Sequence, residues 1–237
     1  MGSSFLQRLI RHFARMYRQP IRVFVFHQVS DVFEPETMWE CDWTGTEAFK
    51  RKISALMKKY RFISLEAVRE HLAKDKWRFR RYAALTADDG WESLTGILPW
   101  LADRKIPVTL FLNPSCLDGV HKNSRETDKM LSREEVLRII DARKPFISVA
   151  SHGWTHKSCD LMTMDEFEES VRAAEAVLDE LPAKAPFFAF ASGRFTPAQV
   201  SYLRDRKLVP VFVDGKDNVK DPASIHRFCI DEGKIHG

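Results

Sequence analysis

The stretch YAALTADDGW (Tyr82–Trp91) runs from an apolar segment straight into two adjacent acids and a glycine. Ala83-Ala84-Leu85-Thr86 has the character of a buried strand, and Gly90 marks the turn that ends it. Adjacent carboxylates repel each other, so their placement where a strand leaves the core needs compensation. Either both side chains point into water, or a cation or a proton in transit sits between them. Outward from this stretch the same pattern repeats. IRVFVFH (21–27), VTLFLN (108–113), FISVASH (146–152), FFAFA (187–191), VPVFVD (209–214) and SIHRFCI (224–230) are apolar runs, and YRFIS (60–64) is a shorter one.

The segments between them have helical spacing. Residues 46–59 carry Phe49, Ile53, Leu56 and Met57, and residues 65–74 predict a second helix. Residues 91–105 turn Leu94, Leu98 and Leu101 inward and predict a helix interrupted at Pro99. Ser132 with Glu135, and Thr163 with Glu166, form capping boxes that open two more helices, and residues 196–206 predict another. Strands that are apolar throughout, alternating with helices, make an α/β chain with a parallel sheet covered on its faces. At least six such strands in strict alternation favour a barrel-like closure. The chain has no Gly/Ser linker, low-complexity segment or internal repeat, so residues 21–237 read as one domain.

The 237 residues are 44% hydrophobic and 30% charged, with a formal net charge of +4. That is ordinary globular composition, and the basic residues form no aromatic-interleaved motif of a nucleic-acid binder. Cys41, Cys116, Cys159 and Cys229 are far apart and form no C-x-x-C pair. Reduced thiols and a cytoplasmic location are therefore expected. No run of apolar residues is long enough for a membrane span. In residues 1–20, basic side chains interrupt the apolar ones, unlike a signal peptide. Phe5, Leu9, Ile10, Phe13 and Met16 predict an amphipathic helix there. Such a helix packs on the domain or makes a peripheral contact with anionic lipid through residues 5–16.

In parallel barrels, functional groups gather where the strands end. Here those tips carry His27; Asp88 and Asp89; Asn113; His152 and His156; Ser192 and Arg194; and Asp214. SHGWTH (Ser151–His156) spaces two histidines four apart, but Gly153 stands where a zinc-protease helix has glutamate. A loop leaving a strand fits better and folds both imidazoles toward one point. Two histidines and one aspartate make a sound set for a divalent metal with open positions. Cys159 is a possible fourth ligand that would close the site. One aspartate then ligates and the other remains as a base. A bound metal lowers the pKa of water from about 15.7 to about 7, so the chemistry is metal-assisted hydrolysis of an ester or amide.

TADDG followed by SHGWTH resembles the first two motifs of the NodB-type polysaccharide deacetylases, carbohydrate esterase family 4, and FAFASGRF resembles the third. The likeness runs in order from about residue 22 to about residue 214. It implies a distorted (β/α) barrel of seven strands. It also implies a zinc-like ion held by Asp89, His152 and His156, Asp88 as general base, and removal of an N-acetyl group from an amino sugar. The third motif departs from the family's common residues at Ala191 and Ser192. For the arginine that orients the catalytic aspartate, the resemblance leaves Arg194. For the general acid it leaves His226 or His27. A barrel that keeps the site but binds sugar without turnover is the alternative.

Overall fold

A computed structural model of the chain describes residues 19–32, 43–74, 80–120 and 129–230. In chain order the strands and helices are β1 (Ile21–Phe26), β2 (Gln28–Ser30), β3 (Trp43–Gly45), α1 (Thr46–Met57), β4 (Arg61–Phe62), α2 (Leu65–Ala73), β5 (Tyr82–Ala87), α3 (Leu94–Asp103), β6 (Val108–Leu112), β7 (Asp118–Val120), β8 (Lys129–Ser132), α4 (Arg133–Ala142), β9 (Ile147–Ser151), α5 (Met164–Leu178), β10 (Lys184–Ala189), α6 (Pro197–Asp205), β11 (Val209–Val213) and β12 (Ile225–Cys229). The amphipathic segment expected at residues 5–16 lies outside the described residues.

Seven parallel strands close on themselves in the order β1, β5, β6, β9, β10, β11, β12 and back to β1. The chain is a distorted (β/α) barrel. Closure follows from β5, which pairs along its length with β1, Ile21 opposite Tyr82 through Phe26 opposite Ala87. On its other edge β5 takes β4 at Tyr82 and Ala83, then β6 from Leu85 onward. The YRFIS strand is therefore a spur at the entry of β5 and not a stave of the barrel.

Period-two alternation divides the strand residues between two environments. Ile21, Val23, Ala84, Phe111, Ala150, Phe187, Ala189, Val209, Val211 and Ile225 fill the interior, joined by Leu65, Val68 and Leu72 of α2. Their neighbours of opposite parity, among them Phe26, Leu85, Leu110, Leu112 and Val149, pack with Phe49, Ile53, Leu98, Leu101, Val136 and Ile140 of the surrounding helices. Phe188 and Phe190 meet Phe167 and Val171 of α5 and Leu203 of α6 in the same way.

Both capping boxes form as read from the sequence, and Thr196 with Gln199 makes another. The expected break at Pro99 does not occur: α3 runs through it. Leu94, Ile97, Leu98, Leu101 and Ala102 are all buried on this helix, and that burial outweighs the single ladder bond proline removes. The antiparallel β7–β8 pair and the parallel β2–β3 pair are additions beyond the barrel. Among the described residues no helix is long and apolar enough to cross a membrane.

Candidate metal centre

Alternation also places the chemistry. Ala84, Thr86 and Asp88 share one parity on and just past β5, so Asp88 enters the barrel mouth from the interior side. Ile225 and Arg227 share the interior face of β12. There Arg227, fully buried, grips Asp88 in a two-pronged pair: Nη1 donates to Oδ1 at 2.6 Å and Nη2 to Oδ2 at 2.8 Å. Nη1 also donates to the Thr86 hydroxyl at 3.1 Å. The Arg227 guanidinium carbon lies 5.1 Å from the Phe111 ring centre. Planar forks of this kind fix a carboxylate in orientation as well as charge.

Asp89 turns the chain. Its φ is 70°, in the left-handed region, where aspartate is tolerated better than most side chains. Gly90 follows at φ 84°, and a Cβ there would stand 2.7 Å from Leu112 Cδ2. A side chain there would be strained by the backbone angle and would have to push the Leu112 methyl aside. The double turn swings Asp89 away from Asp88. The Trp91 indole donates to Asp89 Oδ2 at 2.9 Å. Asp89 Oδ1 is buried and accepts no hydrogen bond.

His152 and His156 converge on that orphaned oxygen, each with Nε2 3.3 Å from Oδ1. His152 leaves β9 on the interior side. Its backbone N–H donates to the Leu112 carbonyl at 2.9 Å. The following loop is tied down by Asn113, whose Nδ2 donates to the carbonyls of His152 at 2.8 Å and Gly153 at 3.3 Å. His152 Nδ1 lies 2.8 Å from the Ala189 carbonyl. A carbonyl only accepts, so Nδ1 carries the hydrogen and Nε2 presents its lone pair to the centre of the cluster. The His152 lone pair and the carboxylate oxygen repel each other unless a cation or proton lies between them. One ligand atom from each of the three residues lies within 4.8 Å of the others. The donor set therefore fits a divalent metal with open coordination positions.

The electrostatics separate the two carboxylates. For Asp88, burial pushes the carboxyl up, but the charges of Arg227, His152 and His27 and the Arg227 hydrogen bonds hold it below the ordinary value. Asp89 is likewise raised by burial, and His156, His152 and His27 bring it well below. His152 is lowered by burial, yet Asp88 and Asp89 raise it on balance. His27 thus belongs to the same cluster.

The other candidates lie apart. Arg194 is exposed, with Nη1 3.9 Å from Asp160 Oδ2; the arginine that holds Asp88 is Arg227. His226 has the opposite parity to Arg227. It faces outward, with Nδ1 2.9 Å from Asp214 Oδ2 and its ring 5.4 Å from that of Phe212. Cys159 is buried, and burial pushes its thiol up to about 11; it is not one of the converging ligands. Arg227 itself escaped notice because it sits 139 positions from Asp88 in the chain. The signal available for it was one arginine sharing the interior parity of a strand with Ile225, which demands a buried partner.

The family model for polysaccharide deacetylases matches residues 77–211, more than half of the chain. Among solved structures, IcaB from Ammonifex degensii superposes with a TM-score of 0.77 at 20% identity, covering 90% of this chain and 93% of that one. A de-N-acetylase from Aggregatibacter actinomycetemcomitans gives 0.70 at 14% identity, covering 92% and 97%. The deacetylase PplD of Streptococcus pyogenes, in complex with acetate, gives 0.69 at 16% identity, covering 90% and 93%. No curated protein matches the chain.

Proposed function

Because the chain belongs to the polysaccharide deacetylase family, we propose that it is a metal-dependent hydrolase removing N-acetyl groups from an amino sugar in a glycan or glycan precursor. The observation that carries this reading is the pairing of two differently held carboxylates. Asp89 converges with His152 and His156, while Asp88 is set beside them by Arg227. Asp89, His152 and His156 would hold the metal, and zinc best suits two imidazoles and a carboxylate. When bound, such an ion supplies Lewis-acid polarisation of the acyl oxygen and of water.

The chain's own residues then divide the proton work. Asp88, kept ionised by Arg227, accepts the proton of the water that attacks the acetyl carbon. His27, whose charge reaches both carboxylates, is the proposed donor to the amine nitrogen as the C–N bond breaks. The products are acetate and a free amine. Two of the structural relatives are deacetylases, one of them carrying acetate, which supports this reaction. A cytoplasmic location, expected from the cysteines, makes a precursor the favoured substrate.

The test is acetate release from a panel of N-acetylated hexosamines spanning oligomers, nucleotide-linked sugars and lipid-linked sugars. At least one member is expected to yield acetate. Chelation should stop the release and added zinc should restore it. A zinc-loaded protein that releases acetate from no member would contradict the proposal.

A further inference from the structure

At the amino-terminal end of the barrel the chain builds a second polar cavity, unrelated to the carboxylate pair. Asp88 lies at the far end of β5 from it, about 20 Å away at roughly 3.3 Å per strand residue. The cavity has a volume of ≈ 210 Å³ and is lined by Gln19, Pro20, Arg22, Tyr60 and Arg81. We propose that it binds a phosphate-class oxyanion, either inorganic phosphate or the phosphate monoester of a larger molecule.

Strand register assembles the lining. Ile21 pairs with Tyr82 and Arg22 with Ala83, so Arg22 and Arg81 stand at the entries of two adjacent strands. The Arg61 backbone N–H donates to the Arg81 carbonyl at 2.9 Å and brings the 58–61 segment alongside. Residues 19–22, 58–61 and 80–82 contain Arg22, Lys58, Lys59, Arg61, Arg80 and Arg81 but no aspartate or glutamate. Such a concentration of like charge is unfavourable without an anion.

The compensation close by is small. Arg22 donates through Nε to Asp217 Oδ1 at 3.0 Å, and its guanidinium carbon lies 5.1 Å from the Phe228 ring centre. These contacts fix Arg22 and use one edge of its fork. Arg81 is exposed and makes no ion pair among the described residues. Guanidinium forks match tetrahedral oxyanions in geometry and stay charged at every working pH. Pockets for whole small molecules begin at about 300 Å³, so a cavity of ≈ 210 Å³ suits a single group.

Two sources offer this chemistry: phosphate free in solution and the phosphomonoester headgroup of a lipid. The experiment titrates the full chain with sodium phosphate against sodium chloride at matched ionic strength, by calorimetry. In parallel it sediments the chain with phosphatidylcholine vesicles, alone, with phosphatidylglycerol, or with phosphatidic acid. Saturable phosphate binding is expected, tighter at pH 8 than at pH 5.5 because phosphate gains its second negative charge between these two pH values. Arg81→Ala should weaken it about tenfold or more, as for loss of a charge-assisted hydrogen bond. Arg138→Ala, on exposed α4 surface, should leave it unchanged. Arg22→Gln gives a second variant, and circular dichroism checks that each folds.

Vesicle recruitment that needs phosphatidic acid and Arg81, without saturable binding of free phosphate, assigns the site to a lipid headgroup. Binding of free phosphate that needs Arg81 assigns it to a soluble ligand. Absence of both, or binding that Arg81→Ala leaves intact, overturns the proposal.

Discussion

On the proposed reaction, Asp88→Asn is expected to lower acetate release by about 10²–10⁴-fold, the usual contribution of a positioned general base, in a protein that is less stable, because buried Arg227 loses its counter-charge, but still folds and binds the proposed ion. Asparagine retains an acceptor for Arg227 but cannot take a proton from water. The proposed ligands are Asp89, His152 and His156, and none of these is altered. The pH profile of the parent carries the same claim. Arg227, His152 and His27 outweigh the effect of burial and hold the Asp88 carboxyl below 3.8. The base is therefore ionised throughout the neutral range, and its loss of function begins only as pH falls through that lowered value. Steady-state rates across pH for both proteins, with metal content and circular dichroism measured alongside, check this. An Asp88→Asn protein with the parent's rate would remove Asp88 from the mechanism.

Arg227→Met costs about 3–5 kcal/mol of stability, the usual penalty for leaving one partner of a buried pair unmatched. Asp88 and Arg227 are both buried, and two short hydrogen bonds join them. Urea unfolding measures the loss directly. The sign of its pH dependence distinguishes lost charge compensation from lost packing. In the parent, the depressed Asp88 contributes stability above its unfolded pKa, and that contribution is lost as pH falls through the folded value. In Arg227→Met burial acts on Asp88 without its main opposing charge, and the carboxylate becomes the costly form. The gap between parent and variant should therefore narrow as pH falls through the ordinary carboxylate range. A second substitution, Asp88→Leu in the Arg227→Met background, should recover most of the stability because neither half of the buried pair is then left unmatched. A gap independent of pH would mean that Arg227 serves only to fill space.

The barrel was legible because its strands are buried on both faces and therefore read as unbroken apolar runs such as VTLFL and FISVAS. Capping boxes at Ser132 and Thr163 marked helix starts by side-chain chemistry alone. What escaped notice was long-range. Nothing local in YRFIS shows that it pairs only with the first two residues of β5. Pro99 looked like a break because local rules omit the five buried side chains that hold α3 together. The convergence of Asp89, His152 and His156 was expected from residues about sixty apart, since both motifs sit at strand ends. Arg227 was missed for the opposite reason. It belongs to the body of a strand, whereas the strand-tip pattern points to Arg194. Parity settles the pair in SIHRFCI: Arg227 faces the interior with Asp88, and His226 turns outward to Asp214.

The central claim is that Asp89, with His152 and His156, is a metal centre and not a hydrogen-bonded cluster. The measurement is the zinc bound per chain after equilibrium dialysis, for the parent and for Asp89→Ala side by side. One ion per parent chain is predicted, and none in Asp89→Ala. A parent that takes up no ion, or an Asp89→Ala protein that keeps one with the parent's affinity, would contradict the account.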